Sequence, residues 1–304
     1  MGRILSTSEG THRGAFAPAD WILFVSIGGI WGSSFLLILI GLESFEPGLI
    51  TWLRVALGAA ALWMMPGDRI AIDRGDVPRL IVLSMLWVAI PFTMFPLAEQ
   101  HVTSALAGMM NGGVPILAAL VGSLMLRRLP TRAQIVGLVL GSVGVAAIAV
   151  SAAGEGSSEM LGVAMLLVAI VCYGLAINIA APLQQRYGSV AVMTRMLVFA
   201  TLWTAPFGLA SIAGSRFSWT SLAAVAVLGA VGTGFAFVVM GRLVGRVGGT
   251  RASFAIYLVP VVAMALGVLL RSEEIAAIGV VGVVLVIAGA VLASRAERIV
   301  DAGA

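Results

Sequence analysis

The sequence predicts an all-α integral membrane protein of ten transmembrane helices, built as two inverted five-helix repeats with both termini cytoplasmic. Three observations predict it. Of 304 residues, 60% are hydrophobic and 11% charged, with a mean hydropathy of +1.08. Soluble domains run about 45–50% apolar and about 25% charged, so a water-soluble fold is excluded. The apolar residues also gather into ten runs of about 20, the length that crosses a bilayer as a helix. Finally, the two halves of the chain match each other at a fixed offset.

Residues 1–20 read as a polar cytoplasmic tail carrying Arg3, His12 and Arg13. The first span, WILFVSIGGIWGSSFLLILI at 21–40, is too long for a signal-peptide core and has no small-x-small cleavage site after it. Spans at 48–65, 79–98, 102–125 and 133–152 complete a first repeat, 21–152. Spans at 160–182, 190–212, 219–240, 249–270 and 275–294 form a second, 160–294, followed by a cytoplasmic tail, 295–304. The breaks carry Gly, Pro or charge, as in PGDRIAIDRGDVPR, RRLPTR, QQRYG and RSEE.

All 18 basic residues are arginine. With the N-terminus inside, fourteen of them fall in cytoplasmic segments, Arg216 and Arg271 fall outside, and Arg54 and Arg195 lie within spans. Such an asymmetry sets orientation in the membrane. The arginines are scattered between apolar runs, so no basic face for nucleic acid exists. Cys172 is the single cysteine and sits in an apolar run, which rules out a disulfide within the chain.

At a shift of 145 residues, 114–144 aligns with 259–289 at Val114/Val259, Pro115/Pro260, Ala118/Ala263, Gly122/Gly267, Leu124/Leu269, Gly137/Gly282, Leu140/Leu285 and Gly144/Gly289. With a small gap, Gly32 pairs with Gly174 and Arg54 with Arg195. Each unit then holds five spans, and an odd number turns the second unit upside down. Many secondary transporters are built this way, with the substrate at the repeat interface.

On these residues the chain resembles the drug/metabolite transporter superfamily, specifically its EamA type. The resemblance covers nearly the whole chain in two copies. It is carried by IWGSSF, by the arginine of ITWLRVALGAAAL, and by TSALAGMMNGGVPILAALVGSLMLRRLPTRAQIVGLVLGSVGV with its second copy GTRASFAIYLVPVVAMALGVLLRSEEIAAIGVVGVVLVIAG. One departure is Arg127-Arg128, where members usually have an acidic residue; Glu273-Glu274 remain in the second copy. The resemblance implies export of small metabolites across a bacterial inner membrane.

Polar and aromatic residues inside spans are the substrate-binding candidates: Trp31, Ser34, Trp87, Asn111, Tyr173, Asn178, Phe235 and Tyr257. Tyr257 lies one residue beyond the repeat counterpart of Asn111. An amide in hydrocarbon must find partners, in a cavity or on a neighbouring helix. Arg54 and Arg195 either steer a substrate carboxylate or brace the repeat. Pro115 and Pro260 are candidate hinges, or static kinks, because each removes a backbone hydrogen bond. Glu99 and His101, between spans 3 and 4, form either a proton relay or a solvated loop. The many intraspan glycines read as helix contacts.

No HExxH, Walker A sequence or paired intraspan aspartate is present, so no enzyme, catalytic residue, cofactor or metal is expected. A channel is the rival class, but neither a charged ring nor a filter sequence appears. The expectation is an alternating-access exporter of amino acids, working as a monomer or weak dimer. Sugars, nucleobases and drug-like amphiphiles are the alternative cargo.

Overall fold

A computed structural model describes residues 16–65, 70–125, 132–152, 157–247, 252 and 254–295. Most of the N-terminal tail, the Arg127-Arg128 pair and the C-terminal tail from 296 onward lie outside these residues. Every element among the described residues is helical. Seven helices are long and apolar enough to cross a membrane: α1 Pro18–Leu42, α2 Pro47–Met64, α3 Arg74–Ala98, α4 Ser104–Met125, α6 within Ser157–Tyr187, α7 Ser189–Ala210 and α8 Trp219–Val247. Three shorter apolar helices are α5 within Arg132–Ala152, α9 up to Arg271, and α10 within Ala277–Arg295. Compared with the sequence expectation, α3 starts earlier, at Arg74, while α6 and α8 run on to Tyr187 and Val247. In each case the polar end residues are held by partners that hydropathy does not register. Arg186 at the end of α6 pairs with Asp73 and Asp76 at the start of α3, at 2.5 and 2.8 Å. Arg246 at the end of α8 pairs with the buried Asp20 of α1 at 2.5 Å.

Helix starts follow local chemistry. Pro18 and Pro47 occupy first-turn positions, where the missing N–H costs nothing. The α4 start is capped twice. Thr103 accepts from the Leu106 amide, and the Glu273 carboxylate, arriving from beyond α9, accepts from the Ser104 and Ala105 amides and the Ser104 hydroxyl. An anion at a helix N-terminus is favoured by the free amides and the helix dipole. Glu273 reaches this position because Ser272 closes α9 in the left-handed conformation, φ 53°.

Four helices are irregular, and the irregularities recur at the offset found in the sequence. Helix α3 contains a π-helical stretch at Met85–Ala89, and α8 contains one at Ala230–Phe235, 145 residues later at its start. Helix α4 breaks between Ser104–Asn111 and Val114–Met125, and α9 changes from a 3-10 turn at Phe254–Tyr257 to an α-helix at Leu258–Arg271. Pro115 and Pro260 follow these breaks and cannot donate to the carbonyls four residues back, those of Asn111 and Ile256.

The helix contacts recur in the same way. Helix α1 lies on α9 and α6 on α4, while α2 packs on α7 and α5 on α10. A Cβ on Gly32 would meet Val262 Cβ at 2.5 Å; one on Gly174 would meet Leu117 Cβ at 2.7 Å, and Leu117 and Val262 are again 145 positions apart. At the α5/α10 crossing the matched glycines face one another. A Cβ on Gly144 would come within 2.6 Å of the Gly282 carbonyl, and one on Gly289 within 2.6 Å of the Gly137 carbonyl. In lipid, no hydrophobic force drives helices together, so such close backbone approach supplies the packing.

Candidate functional site

Helices α1, α2, α3, α4, α6, α8 and α9 line a central cavity of about 40 Å³. Among the described residues, α5, α7 and α10 contribute nothing to its lining. The lining residues are Trp31, Ser34, Phe35, Ile38, Arg54, Trp87, Phe92, Phe95, Asn111, Tyr173, Ile177, Phe237 and Ile256. At about 10–15 Å³ per water molecule the volume holds only a few waters.

Its walls are aromatic. Phe237 stacks on Phe92 at 5.9 Å and receives the edges of Trp31 and Trp87 at 5.8 and 5.4 Å. Phe95 stacks on Tyr173 at 6.0 Å and meets Phe35 edge-on at 5.4 Å. Phe92 and Phe237 are themselves 145 positions apart, so equivalent residues of the two halves touch at the centre.

Arg54 is the one formal charge in the lining, and it is buried. Its guanidinium lies 3.6 Å from the Phe92 ring centre, and its Nε donates to Thr233 Oγ1 at 2.9 Å. Thr233 belongs to the π-helical stretch of α8 and donates in turn to the Leu228 carbonyl at 3.0 Å. The same stretch offers the Gly232 carbonyl to the Trp31 indole N–H at 3.1 Å. The partners of Arg54 and Trp31 thus both lie in the π-helical stretch of α8. Asn111 is buried on the break of α4, and its Oδ1 has no hydrogen-bond partner. An arginine and an open amide among aromatic faces suit a small solute with one anionic end and an apolar body.

The structure brings six sequence candidates together in the lining: Trp31, Ser34, Arg54, Trp87, Asn111 and Tyr173. Others lie elsewhere. Asn178 donates to the Ala118 and Gly174 carbonyls at 2.8 and 3.0 Å, tying α6 to α4. Phe235 is 42% exposed on the outer surface, and its neighbour-but-one Phe237 lines the cavity instead. Tyr257 is buried outside the lining, where Ile256, the repeat counterpart of Asn111, takes the position. Arg195 faces a separate apolar groove of about 490 Å³ between α2, α3 and α7, and donates to the Ala191 carbonyl of its own helix at 3.1 Å. Pro115 and Pro260 adjoin the two helix breaks. Glu99 is buried immediately after α3, four residues beyond Phe95, and His101 is half-buried with its Cβ close to Gly162.

Sequence reading missed Phe92, Phe95, Thr233, Phe237 and Ile256. The Phe92/Phe237 match at the 145-residue shift was a usable signal. The Arg54–Thr233 bond was not, because no spacing rule reports a contact across 179 positions.

A model of the EamA-like transporter family matches residues 20–150 and again 160–295. An uncharacterised transporter from Archaeoglobus fulgidus is 23% identical over 90% of this chain and 98% of its own length. A probable terminal-alkyne amino-acid exporter from Streptantibioticus cattleyicolor is 26% identical over 92% of this chain and 94% of its own. A crystal structure superposes with a TM-score of 0.64 at 17% identity, covering 93% of this chain and 99% of that one, a likeness of fold.

Proposed function

The chain belongs to the EamA-like transporter family, a multi-pass membrane family, and from that premise we propose that it exports amino acids across a bacterial inner membrane by alternating access. The observation that carries this reading is Arg54, a buried cation held over Phe92 on the wall of an otherwise aromatic and amide-bearing cavity. A carboxylate docks on the guanidinium, Asn111 takes up a second polar group, and the side chain rests on Phe92, Phe237 and Trp87. A relative with 26% identity bears the name of a probable amino-acid exporter, which favours this cargo over sugars and nucleobases.

In this reading all seven long helices and the three shorter ones cross the membrane, as two inverted units over 21–152 and 160–294. Both termini are cytoplasmic, and the chain acts as a monomer or weak dimer. Support comes from the paired π-helical stretches, the paired helix breaks and the reciprocal glycine contacts, all at one offset. Opening alternates between the two membrane faces as one unit rocks against the other about the Phe92–Phe237 contact. Pro115 and Pro260 act as hinges beside the cavity in this scheme.

Cells loaded with amino acids through dipeptide feeding test the proposal. Expression of the wild type accelerates amino-acid release, and Arg54→Gln returns it to the rate of cells lacking the protein. Equal release from both, at equal membrane abundance, contradicts it.

A further inference from the structure

Among the described residues, Glu99 is a carboxylate 94% buried with no hydrogen-bond partner for either oxygen. It follows α3 one turn beyond the lining residue Phe95, and is not itself among the residues that line the cavity. Around it, Arg54 of α2 and Glu273 beyond α9 are close enough for their charges to act on it; Tyr173 of α6 stacks on Phe95, and His101 lies in the same connection. Glu273 is already engaged as the cap of α4, and Arg54 by Thr233 and Phe92. The Glu99 carboxyl therefore has no committed role in holding the fold.

Resting on the amino-acid reading, we propose that Glu99 is the proton-exchanging residue of transport, giving up its proton when the substrate ammonium takes its place beside the carboxylate. Arg54 holds the substrate carboxylate, and Glu99, one turn beyond the lining residue Phe95, receives the ammonium once the cavity opens to it. On the cytoplasmic face the Glu99 O–H bond breaks, the proton passes to water, and the carboxylate accepts hydrogen bonds from the ammonium. On the outer face the amino acid leaves and the carboxylate takes a proton from water. One proton enters for each amino acid exported, so an inward proton gradient drives export. Burial first, and the Glu273 charge second, raise the Glu99 carboxyl well above the usual range against the opposing pull of Arg54.

The test is amino-acid affinity against pH, read from the fluorescence of Trp31 and Trp87 in the cavity. Proton competition makes wild-type affinity rise about tenfold per pH unit below the Glu99 titration. Glu99→Gln binds weakly with no slope, and Glu99→Asp restores a slope at shifted pH. Wild-type affinity that is flat with pH overturns the proposal, as does a slope that survives Glu99→Gln and disappears in His101→Gln. Absence of binding at every pH removes the amino-acid reading itself, a distinct failure that takes this proposal with it. Should Glu99→Gln not fold, the infrared carbonyl stretch of a protonated carboxyl in the wild type decides. It is present at neutral pH and bleached by added amino acid; its absence overturns the assignment.

Discussion

Arg54 shows how a single residue can be legible in sequence while its environment is not. An arginine six residues into an apolar span announces itself, because an uncompensated charge in hydrocarbon is expensive. Its partners, Thr233 and the Phe92 face, come from helices that only the fold brings near. The matched Arg195 carries the same sequence signal and lies on the wall of a different groove, so the signal alone did not separate the two. Removal of the guanidinium from the cavity takes away a charge-assisted hydrogen bond of about 1.5–3 kcal/mol. Arg54→Gln is therefore expected to weaken amino-acid binding at least tenfold, whereas Arg195→Gln leaves affinity within about twofold of the wild type. Equal losses in titrations of the two variants would contradict the assignment. Asn111→Leu, which deletes the open Oδ1, is expected to impair transport several-fold with membrane abundance unchanged, as export rates set against immunoblots would show.

At the scale of the element, helix existence was readable from hydropathy, and the defects inside the helices were not. Neither π-helical stretch carries a sequence mark, yet they supply Trp87, Thr233 and the Gly232 carbonyl to the site. Proline did mark the two breaks, since its ring removes a known hydrogen bond. The glycine matches were read as packing, and the α5/α10 crossing gives that packing its geometry: Gly144 and Gly289 each approach a facing glycine carbonyl. Gly144→Val is expected to cost about 1–3 kcal/mol through overpacking. Gly29→Ala, with nothing within 4 Å of its added Cβ, should be tolerated. Thermal unfolding of both variants in detergent checks the contrast, and equal melting temperatures would refute it.

For the whole molecule, the 145-residue offset was visible in a handful of residues, and the fold extends it to helix breaks, π-helical stretches and contacts. What sequence could not supply was the size of the cavity, because about 40 Å³ depends on how side chains from seven helices pack together. The raised carboxyl of Glu99 adds a pH dependence with a definite sign. The arrangement that buries Glu99 is favoured at acid pH and loses that advantage as pH rises through the Glu99 titration. Protection of cavity cysteines introduced at Ser34 should accordingly fall with rising pH in the wild type and stay level in Glu99→Gln. A reporter fused to the C-terminus should be active in the cytoplasm. Periplasmic activity would break the two-unit arrangement. Transport itself is tested most directly by uptake of a radiolabelled amino-acid panel into proteoliposomes holding the purified protein, preloaded with unlabelled amino acids. The account predicts saturable counterflow above empty liposomes that Arg54→Gln abolishes; uptake of no amino acid above that background would contradict it.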